Sequence, residues 1–312
     1  MLRLVLIRIA TMIPTVAAIS ALLFFSVTAL LGSPAAMMLG EEASPQAIAA
    51  LNAKYGFDRP AWQQFLSWAG AALQGDLGRS YTTQESVAKA VLACLPVTLE
   101  LTVFSILLAA GAAIVCNTLP VGRGLIRPVV TGVNLIGVTV PNFMLGVTLI
   151  LLFSVELGWL PSTGWVPWSE GPGTHLAHMV LPVLTLSAYY FGVFSIVYRA
   201  EYRDVAGRMF MRAARAKGLG EWAVAFRHAM PNAALPVITF IGISMGQLTG
   251  GAVVTETIFS MPGTGRLFVG AIAGHDFPVM LAVGMLIVVG VVLMNLLADI
   301  AYTIVNPLIR HD

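Results

Sequence analysis

The sequence contains few charged residues. Lys, Arg, Asp and Glu make up 10% of the 312 residues, whereas hydrophobic residues make up 58% and the mean hydropathy is +0.86. Soluble domains usually have about 25% charged residues. A chain with so little charge cannot cover a water-soluble surface, and its long apolar runs argue against disorder. We therefore expect an integral membrane protein.

The residues needed for catalysis are also scarce. The three lysines, Lys54, Lys89 and Lys217, each follow an alanine, so the chain has no phosphate-binding Gly-Lys-Ser/Thr loop. GISMG at 242–246 matches the GxSxG pattern of hydrolases, but it lies in an apolar stretch and not in a strand–turn–helix elbow. We expect no catalytic residue and no bound cofactor, so a membrane-embedded enzyme is the disfavoured alternative.

Metal ligands and disulfides are not indicated either. The sequence lacks HExxH and paired-cysteine motifs. His175 and His178 have no third ligand nearby in the sequence, so we interpret them as side chains at a membrane interface. Cys94 and Cys116 lie near opposite ends of one apolar run, and a helix would separate them by roughly 30 Å. This distance excludes a disulfide within the chain, since its Cα atoms must lie within about 7 Å of each other.

Long apolar runs are abundant. About 20 residues suffice for a helix to cross a bilayer. Runs of this length occur at 9–31, 97–119, 130–155, 177–198, 235–258 and 279–305. The first is longer than the apolar core of about 7–15 residues in a secretory signal peptide, so we expect a retained helix. The fold class predicted is an all-α membrane protein with six transmembrane helices.

The basic residues are distributed unevenly between the two sides of such a bundle. Lys and Arg are enriched in cytoplasmic loops. If the N-terminus is inside, the inner segments contain Arg3, Arg8, Arg123, Arg127, Arg199, Arg203, Arg208, Arg212, Arg215, Lys217, Arg227 and Arg310. The outer segments contain Lys54, Arg59, Arg79, Lys89 and Arg266. We therefore predict that both termini are cytoplasmic.

The chain divides into four parts on this basis. Residues 1–31 form a cytoplasmic tail and the first span, and 32–96 form an extracytoplasmic helical segment. Residues 97–306 form the membrane core, including the cytoplasmic loop 199–234, and 307–312 form a second tail. The remaining outer loops, 156–176 and 259–278, are short and rich in turn residues.

The external segment predicts two helices. The first has Ser44 as its N-cap, Pro45 at its first position and Gly56 as its stop. The second begins after Pro60. Its apolar stripe consists of Trp62, Phe65, Leu66, Ala69 and Leu73. A hairpin that covers the bundle and a docking surface for a partner are both compatible with this pattern.

Ionisable residues in the apolar runs are candidates for a transport pathway. Glu100 begins the second run, where a carboxylate suits a helix N-terminus, and Asp299 lies late in the sixth. Glu256 ends the fifth run. Together with Pro141, which favours a kink, and its neighbour Asn142, it is our candidate for a pathway or gate.

The 199–234 segment concentrates positive charge among small residues. GRMFMRAARAKG predicts a helix that Gly218 stops, and GEWAVAFRHAMPNA predicts a second that ends near Pro231. The small side chains around Ala213 would let a partner backbone approach closely. Trp222 and Phe226, four residues apart, would form an aromatic ridge. A docking surface for a cytosolic protein and a basic interfacial loop fit this composition equally well.

The stretch RAARAKGLGEWAVAFRHAMPNAALPV resembles the cytoplasmic signature loop of bacterial ABC-importer permeases. That loop carries Glu-Ala-Ala, three further residues, Gly and a later Leu-Pro. Ala213 and Ala214 match the alanines, Gly218 the glycine, and Leu235–Pro236 the closing pair. Arg212 replaces the Glu of the general signature, as is common in the oligopeptide and dipeptide branch. YGFDRPAWQQF, GDLGRSY, ELGWLPSTG, GGAVVTETIFSMPGTGRL and NPLIR resemble further stretches of the same branch.

This resemblance implies the type I permease fold and a location in the bacterial inner membrane. The expected partners are a second, homologous permease, two ABC ATPase subunits that bind ATP and Mg, an extracytoplasmic substrate-binding protein and membrane lipid, but no nucleic acid. The residues expected to couple to the ATPases are Arg212, Ala213, Ala214, Arg215, Lys217, Gly218, Trp222 and Phe226.

The expected function is ATP-driven import of dipeptides or oligopeptides, with this chain forming half of the pore. Related permeases for nickel, glutathione or oligosaccharides share these stretches and remain alternatives. A stand-alone secondary transporter or channel is the alternative from another class.

Overall fold

The computed structural model describes residues 2–31, 34–39, 44–119 and 126–305. Within these ranges the regular structure is helical, apart from one isolated bridge between Arg79 and Ser86. The α-helices are α1 (Leu2–Leu31), α2 (Pro34–Leu39), α3 (Pro45–Tyr55), α4 (Ala61–Leu73), α5 (Val87–Thr118), α6 (Ile126–Thr139), α7 (Asn142–Leu149), α8 (Pro172–Gly207), α9 (Met209–Ala216), α10 (Glu221–Ala223), α11 (Met230–Ala233), α12 (Leu235–Ile258), α13 (Thr264–Ala273) and α14 (Phe277–Val305). The expected tail at 307–312 and the NPLIR stretch lie outside the described ranges.

Four helices are long and apolar enough to cross a membrane, and two bent helix pairs raise the number to as many as six. The four are α1, α5, α8 and α14. One bent pair joins α6 to α7, and the other joins Glu221–Ala233 to the first half of α12. The all-helical fold class is confirmed, and the expected six spans lie within this range of four to six.

The third expected span is broken instead of continuous. Its two halves, 128–139 and 142–156, meet at an angle of 118° at Pro141, which has no amide hydrogen to continue the helix. The second half ends in a π-helical stretch, Ile150–Glu156. The first half lies directly on α8, where Gly137 faces the backbone of Ala188. The interruption predicted at Pro141 is therefore present, and it is larger than a kink.

Two helices extend well beyond their apolar runs. α5 begins at Val87, and α8 spans 36 residues, or about 54 Å at 1.5 Å per residue. The hydrocarbon core of a bilayer is only about 30 Å thick, so α8 reaches out of it. Glu100 consequently lies in the interior of α5, and the expectation that it sits at a helix N-terminus is wrong.

The external helices form as predicted, and part of the apolar stripe of α4 packs inward. Ser44 caps α3 through the amide of Ala47, and Gly56 ends it in the left-handed conformation. On α4 the stripe residues Trp62, Leu66 and Leu73 are exposed. Phe65 of the stripe packs inward together with Trp68, and the rings of both lie 5.6 Å from that of Phe24 on α1. The hairpin thus packs on α1 through part of the stripe, and whether the exposed part is a docking surface stays a prediction.

The outer loop expected at 259–278 contains a ten-residue helix, α13. The sequence did not predict this helix, because turn residues flank it. Pro262 and Gly263 lie before this helix, and Gly274 ends it. α13 packs on α5, α12 and α14, so it belongs to the bundle. Cys94 and Cys116 are both free, as the sequence predicted.

Candidate functional site

The first helix of the 199–234 segment forms where the sequence places it. α8 continues to Gly207, and Arg208 adopts an extended conformation before α9 begins at Met209. Gly218 lies beyond the end of α9 with φ +79°, a left-handed conformation that favours glycine. The prediction that Gly218 stops this helix is confirmed.

The second helical stretch ends near Pro231, as expected. α10, a π-helical turn at Val224–Ala229 and α11 follow one another to Ala233. Pro231 lies in the first turn of α11, where its missing amide hydrogen costs little. A bend of 47° then leads into α12.

The segment is anchored to the bundle by apolar side chains of its own. Met211, Ala214, Val224 and Ala229 are buried in the main hydrophobic core, which also contains Val205. Ala214 therefore faces the bundle, although the sequence grouped it with the surface that a partner would contact. Anchoring of this kind makes the segment a fixed part of the bundle and not a slack loop.

The opposite face of the segment is exposed. The exposed residues among those expected to couple are Arg212, Ala213, Arg215, Lys217, Gly218 and Trp222. The indole of Trp222 is 63% exposed and stacks on the half-buried ring of Phe226, with centroids 5.4 Å apart and planes at 7°. The aromatic ridge predicted from the spacing is therefore present. We call these exposed residues together with Phe226 the coupling face.

Much of the positive charge around this face has no partner among the described residues. Arg215 Nε lies 3.0 Å from Glu221 Oε1, and both side chains are exposed, so this pair contributes only about 0–1 kcal/mol. In the part of the chain that the structure describes, Arg212, Lys217 and Arg227 make no ion pair or hydrogen bond through their side chains. Small, basic and aromatic groups thus stand together on a rigid support.

The far end of α12 contains the buried carboxylate that the sequence singled out. Glu256 is fully buried and accepts hydrogen bonds from Thr98 Oγ1, at 2.6 Å, and from the amide of Arg266, at 3.0 Å. The amide of Thr264 donates to Thr98 Oγ1 at 2.8 Å. Glu256 and Thr98 therefore satisfy the first amides of α13 and tie three helices together. A role of Glu256 in a pathway or gate stays a prediction.

Pro141 and Asn142 lie at the break between α6 and α7. Pro141 is exposed and Asn142 is half-buried, and among the described residues the Asn142 side chain makes no hydrogen bond. Among the described residues, neither Pro141 nor Asn142 forms a hydrogen bond with Glu256. Their assignment to a pathway also stays a prediction, and the side chain of Asp299 lies outside the described part.

Comparison with known proteins identifies the family. Residues 105–311 match the family described as binding-protein-dependent transport system inner membrane component. Residues 1–102 match the N-terminal part of membrane components of the same transport systems. The chain belongs to this family. It is thus a permease of a binding-protein-dependent ABC importer with the type I permease fold, and a multi-pass protein of the inner membrane.

Individual relatives are similar over the whole length of the permease. It is 37% identical over 319 residues to the glutathione transport system permease protein GsiC of Escherichia coli K12, covering 100% of both chains. It is 34% identical over 306 residues to the probable peptide ABC transporter permease protein y4tP of Sinorhizobium fredii, covering 97% of this chain and 98% of the relative. Family membership means that the permease is a transport component and not itself a catalyst.

Sequence reasoning missed a cluster at the start of α8 in this permease. Glu100 Oε1 accepts a hydrogen bond from Trp168 Nε1 at 2.7 Å and lies 3.0 Å from His175 Nε2. His175 Nδ1 lies 2.6 Å from the carbonyl of Val166, and Trp168 stacks on the imidazole. His175 thus fixes the 156–176 loop to α5 and α8. His178 contacts the carbonyl of Thr174, and no group of three or more potential metal ligands occurs among the described residues.

A second missed cluster surrounds Asp276 at the start of α14. Its carboxylate accepts hydrogen bonds from Ser80 Oγ, from Thr82 Oγ1 at 2.7 Å and from the amide of Tyr81 at 3.1 Å. Burial, and to a lesser extent the charge of Asp276, raises the pKa of Tyr81 above its usual range, so its phenol stays neutral. No sequence signal joins these residues, because Asp276 lies 196 positions after Ser80.

Proposed function

We propose that this permease imports dipeptides or oligopeptides as half of a translocation pore, together with a second, homologous permease. In this proposal an extracytoplasmic binding protein delivers the substrate, and two cytosolic ATPases drive transport. The ATPases bind ATP and Mg, so this chain needs no cofactor of its own. The two relatives support the substrate class, since one is named a probable peptide permease and the other transports glutathione, itself a tripeptide.

The observation that carries the proposal is the coupling face on its rigid support. The exposed face around Gly218 and Trp222 is joined through Met211 to the core that also holds α8. A movement imposed there would therefore be transmitted to the transmembrane helices. Alternating access by rocking of packed helices is a recurring solution among transporters. The sequence contains no phosphate-binding Gly-Lys-Ser/Thr loop, so in this proposal ATP is hydrolysed by other subunits.

The orientation of the permease follows from the same proposal. If ATPases bind the 199–234 segment, that segment and both termini face the cytoplasm, in agreement with the distribution of basic residues. We expect a single cysteine at Ala213, an exposed position, to be labelled only from the inner side when Cys94 and Cys116 are replaced by Ser. A membrane-impermeant thiol reagent added to right-side-out and inverted vesicles measures this. Labelling from the outer face alone would overturn both the orientation and the coupling role.

Reconstitution tests the function directly. The permease, its homologous partner, the ATPases and the binding protein are placed in proteoliposomes, and uptake of a labelled dipeptide, a tetrapeptide, glutathione, nickel and an oligosaccharide is measured. We expect uptake that requires ATP and every subunit. The matched control contains the permease alone, which we expect to transport nothing.

The outcomes of this experiment separate the alternatives. Uptake of glutathione but not of the other peptides would favour a glutathione permease, which the similarity to GsiC also supports. Uptake of nickel or an oligosaccharide instead of peptides would reassign the substrate. Uptake by the permease alone would replace the proposal with a stand-alone secondary transporter.

A further inference from the structure

A cavity of about 550 Å³ lies between α13 and the 80–85 loop, where α5 and α14 also contribute. Its volume falls within the range of about 300–1,000 Å³ that is typical of sites for small molecules. The cavity lies at the end of α12 opposite the 199–234 segment, which is the outer end in the proposed orientation. Its wall combines apolar side chains, including Leu267 and Val279, with several polar groups.

Two side chains of opposite charge line this cavity without pairing. In the described part of the chain the carboxylate of Glu85 forms no ion pair and accepts no hydrogen bond. Arg266 donates from one terminal nitrogen to the carbonyl of Ser260, at 2.7 Å, and its guanidinium has further donors that remain unused. Both side chains are exposed. The cavity thus presents one free anion and one incompletely satisfied cation.

The other carboxylate that lines the cavity is not available to a ligand. Asp276 already accepts hydrogen bonds from Ser80, Tyr81 and Thr82, as described above. Those bonds also use the hydroxyl hydrogens of Ser80 and Thr82. Glu85 is therefore the group in this cavity that is free to bind a cation.

We propose that this cavity binds the zwitterionic form of a short peptide on its way into the pore. The guanidinium of Arg266 binds the terminal carboxylate, with the parallel N–H donors that suit a carboxylate. Glu85 binds the terminal ammonium group, and the apolar wall near Leu267 accepts a side chain. The inference rests on the proposed function and narrows its substrate class, because both charged ends must fit into one cavity. Short peptides with two free ends satisfy this requirement.

Binding to the purified complex tests the proposal without the preferences of the binding protein. The complex of both permeases and the ATPases is prepared without the binding protein, and equilibrium binding is measured for labelled dialanine, its C-terminal amide and its N-acetyl derivative. For the wild type we expect binding of dialanine about ten-fold tighter than that of either derivative, since each derivative lacks one charge-assisted hydrogen bond.

Two variants assign the two ends separately. Arg266→Gln is expected to weaken the binding of dialanine about ten-fold and that of its C-terminal amide less than about two-fold. Glu85→Gln is expected to weaken the binding of dialanine by a similar factor and to change the binding of the N-acetyl derivative little. Arg79→Gln and Asp58→Asn, which change exposed charges on the same segment outside this cavity, are the matched controls and should leave all three affinities unchanged.

Each outcome bears on the inference. Loss of affinity that is equal for dialanine and its derivatives would overturn it, as would absence of dialanine binding by the wild type. In the second case, ATP-dependent uptake by the same complex with its binding protein would still uphold the proposed function. If Arg266→Gln fails to assemble because its bond to Ser260 is lost, Glu85→Gln decides the question alone, since that side chain makes no bond in the described structure.

Discussion

Replacing Gly218 with Trp is expected to reduce the amount of ATPase that copurifies with the permease by about ten-fold or more, while membrane insertion is unchanged. Gly218 has a left-handed backbone, and no atom lies within 4 Å of the position that a Cβ would occupy. The chain itself therefore has room for a larger side chain, which would project from the coupling face into the proposed partner. Disrupting the centre of an interface commonly costs about 2 kcal/mol or more.

A matched control separates docking from backbone strain. A side chain at Gly218 also incurs the cost of a left-handed conformation, roughly 1–2 kcal/mol. Gly75 has the same conformation, with φ +82°, and also no atom within 4 Å, but it lies on the external segment. Gly75→Trp should therefore retain the ATPases. An undiminished yield of ATPase with Gly218→Trp would contradict the coupling role, and an equal loss with Gly75→Trp would attribute the effect to strain.

Replacing Glu256 with Ala is expected to lower the thermal stability of the permease by several degrees. The substitution leaves the amide of Arg266 without its acceptor and removes the Glu256 acceptor of the Thr98 hydroxyl, which keeps only its contact with the Thr264 hydroxyl. An unsatisfied buried group costs about 1–3 kcal/mol. α13 would lose one of the two side chains that accept hydrogen bonds from its first turn. The midpoint of thermal unfolding of the detergent-purified permease, followed by tryptophan fluorescence, measures the loss.

The controls for this prediction use a second carboxylate and a partner of Glu256. Glu156 is exposed and makes no hydrogen bond among the described residues, so Glu156→Ala should leave the midpoint unchanged. Thr98→Val removes one of the two bonds to Glu256 together with the acceptor of the Thr264 amide, and should also lower the midpoint. A wild-type midpoint for Glu256→Ala would show that the capping arrangement contributes nothing to stability.

Local signals in the sequence predicted the elements that local chemistry determines. Ser44 and Gly56 define the ends of α3, and Gly218 ends the helical turn after α9, because each acts on its immediate neighbours. Apolar runs located the spans but not their ends. A run marks the part of a helix that contacts lipid, whereas α8 continues through a polar stretch because α9 and the core still pack against it.

The arrangement of the candidate site could be predicted only in part. The composition of RAARAKG indicated a surface of small and basic residues, but it could not distinguish Ala213, which is exposed, from Ala214, which faces the core. That difference depends on how α9 lies against Val205 and Val224. The clusters around His175 and Asp276 were missed for a related reason, since their partners are far apart in the sequence and meet only in the folded chain.

The length of α8 has a consequence for communication between the two sides of the membrane. α8 contains both His175, which contacts Glu100, and Val205, which packs in the same core as α9. Pro182 is the one proline in the interior of this helix. When such a helix moves as a rigid body, both of its ends move together. Suppose that a partner bound at one end changes the affinity for substrate at the other. Thermodynamic reciprocity then requires that substrate change the affinity for that partner by the same factor. In the proposed complex, binding of substrate at the outer end would therefore change the affinity of the permease for the ATPases by the same factor by which the ATPases change its affinity for substrate.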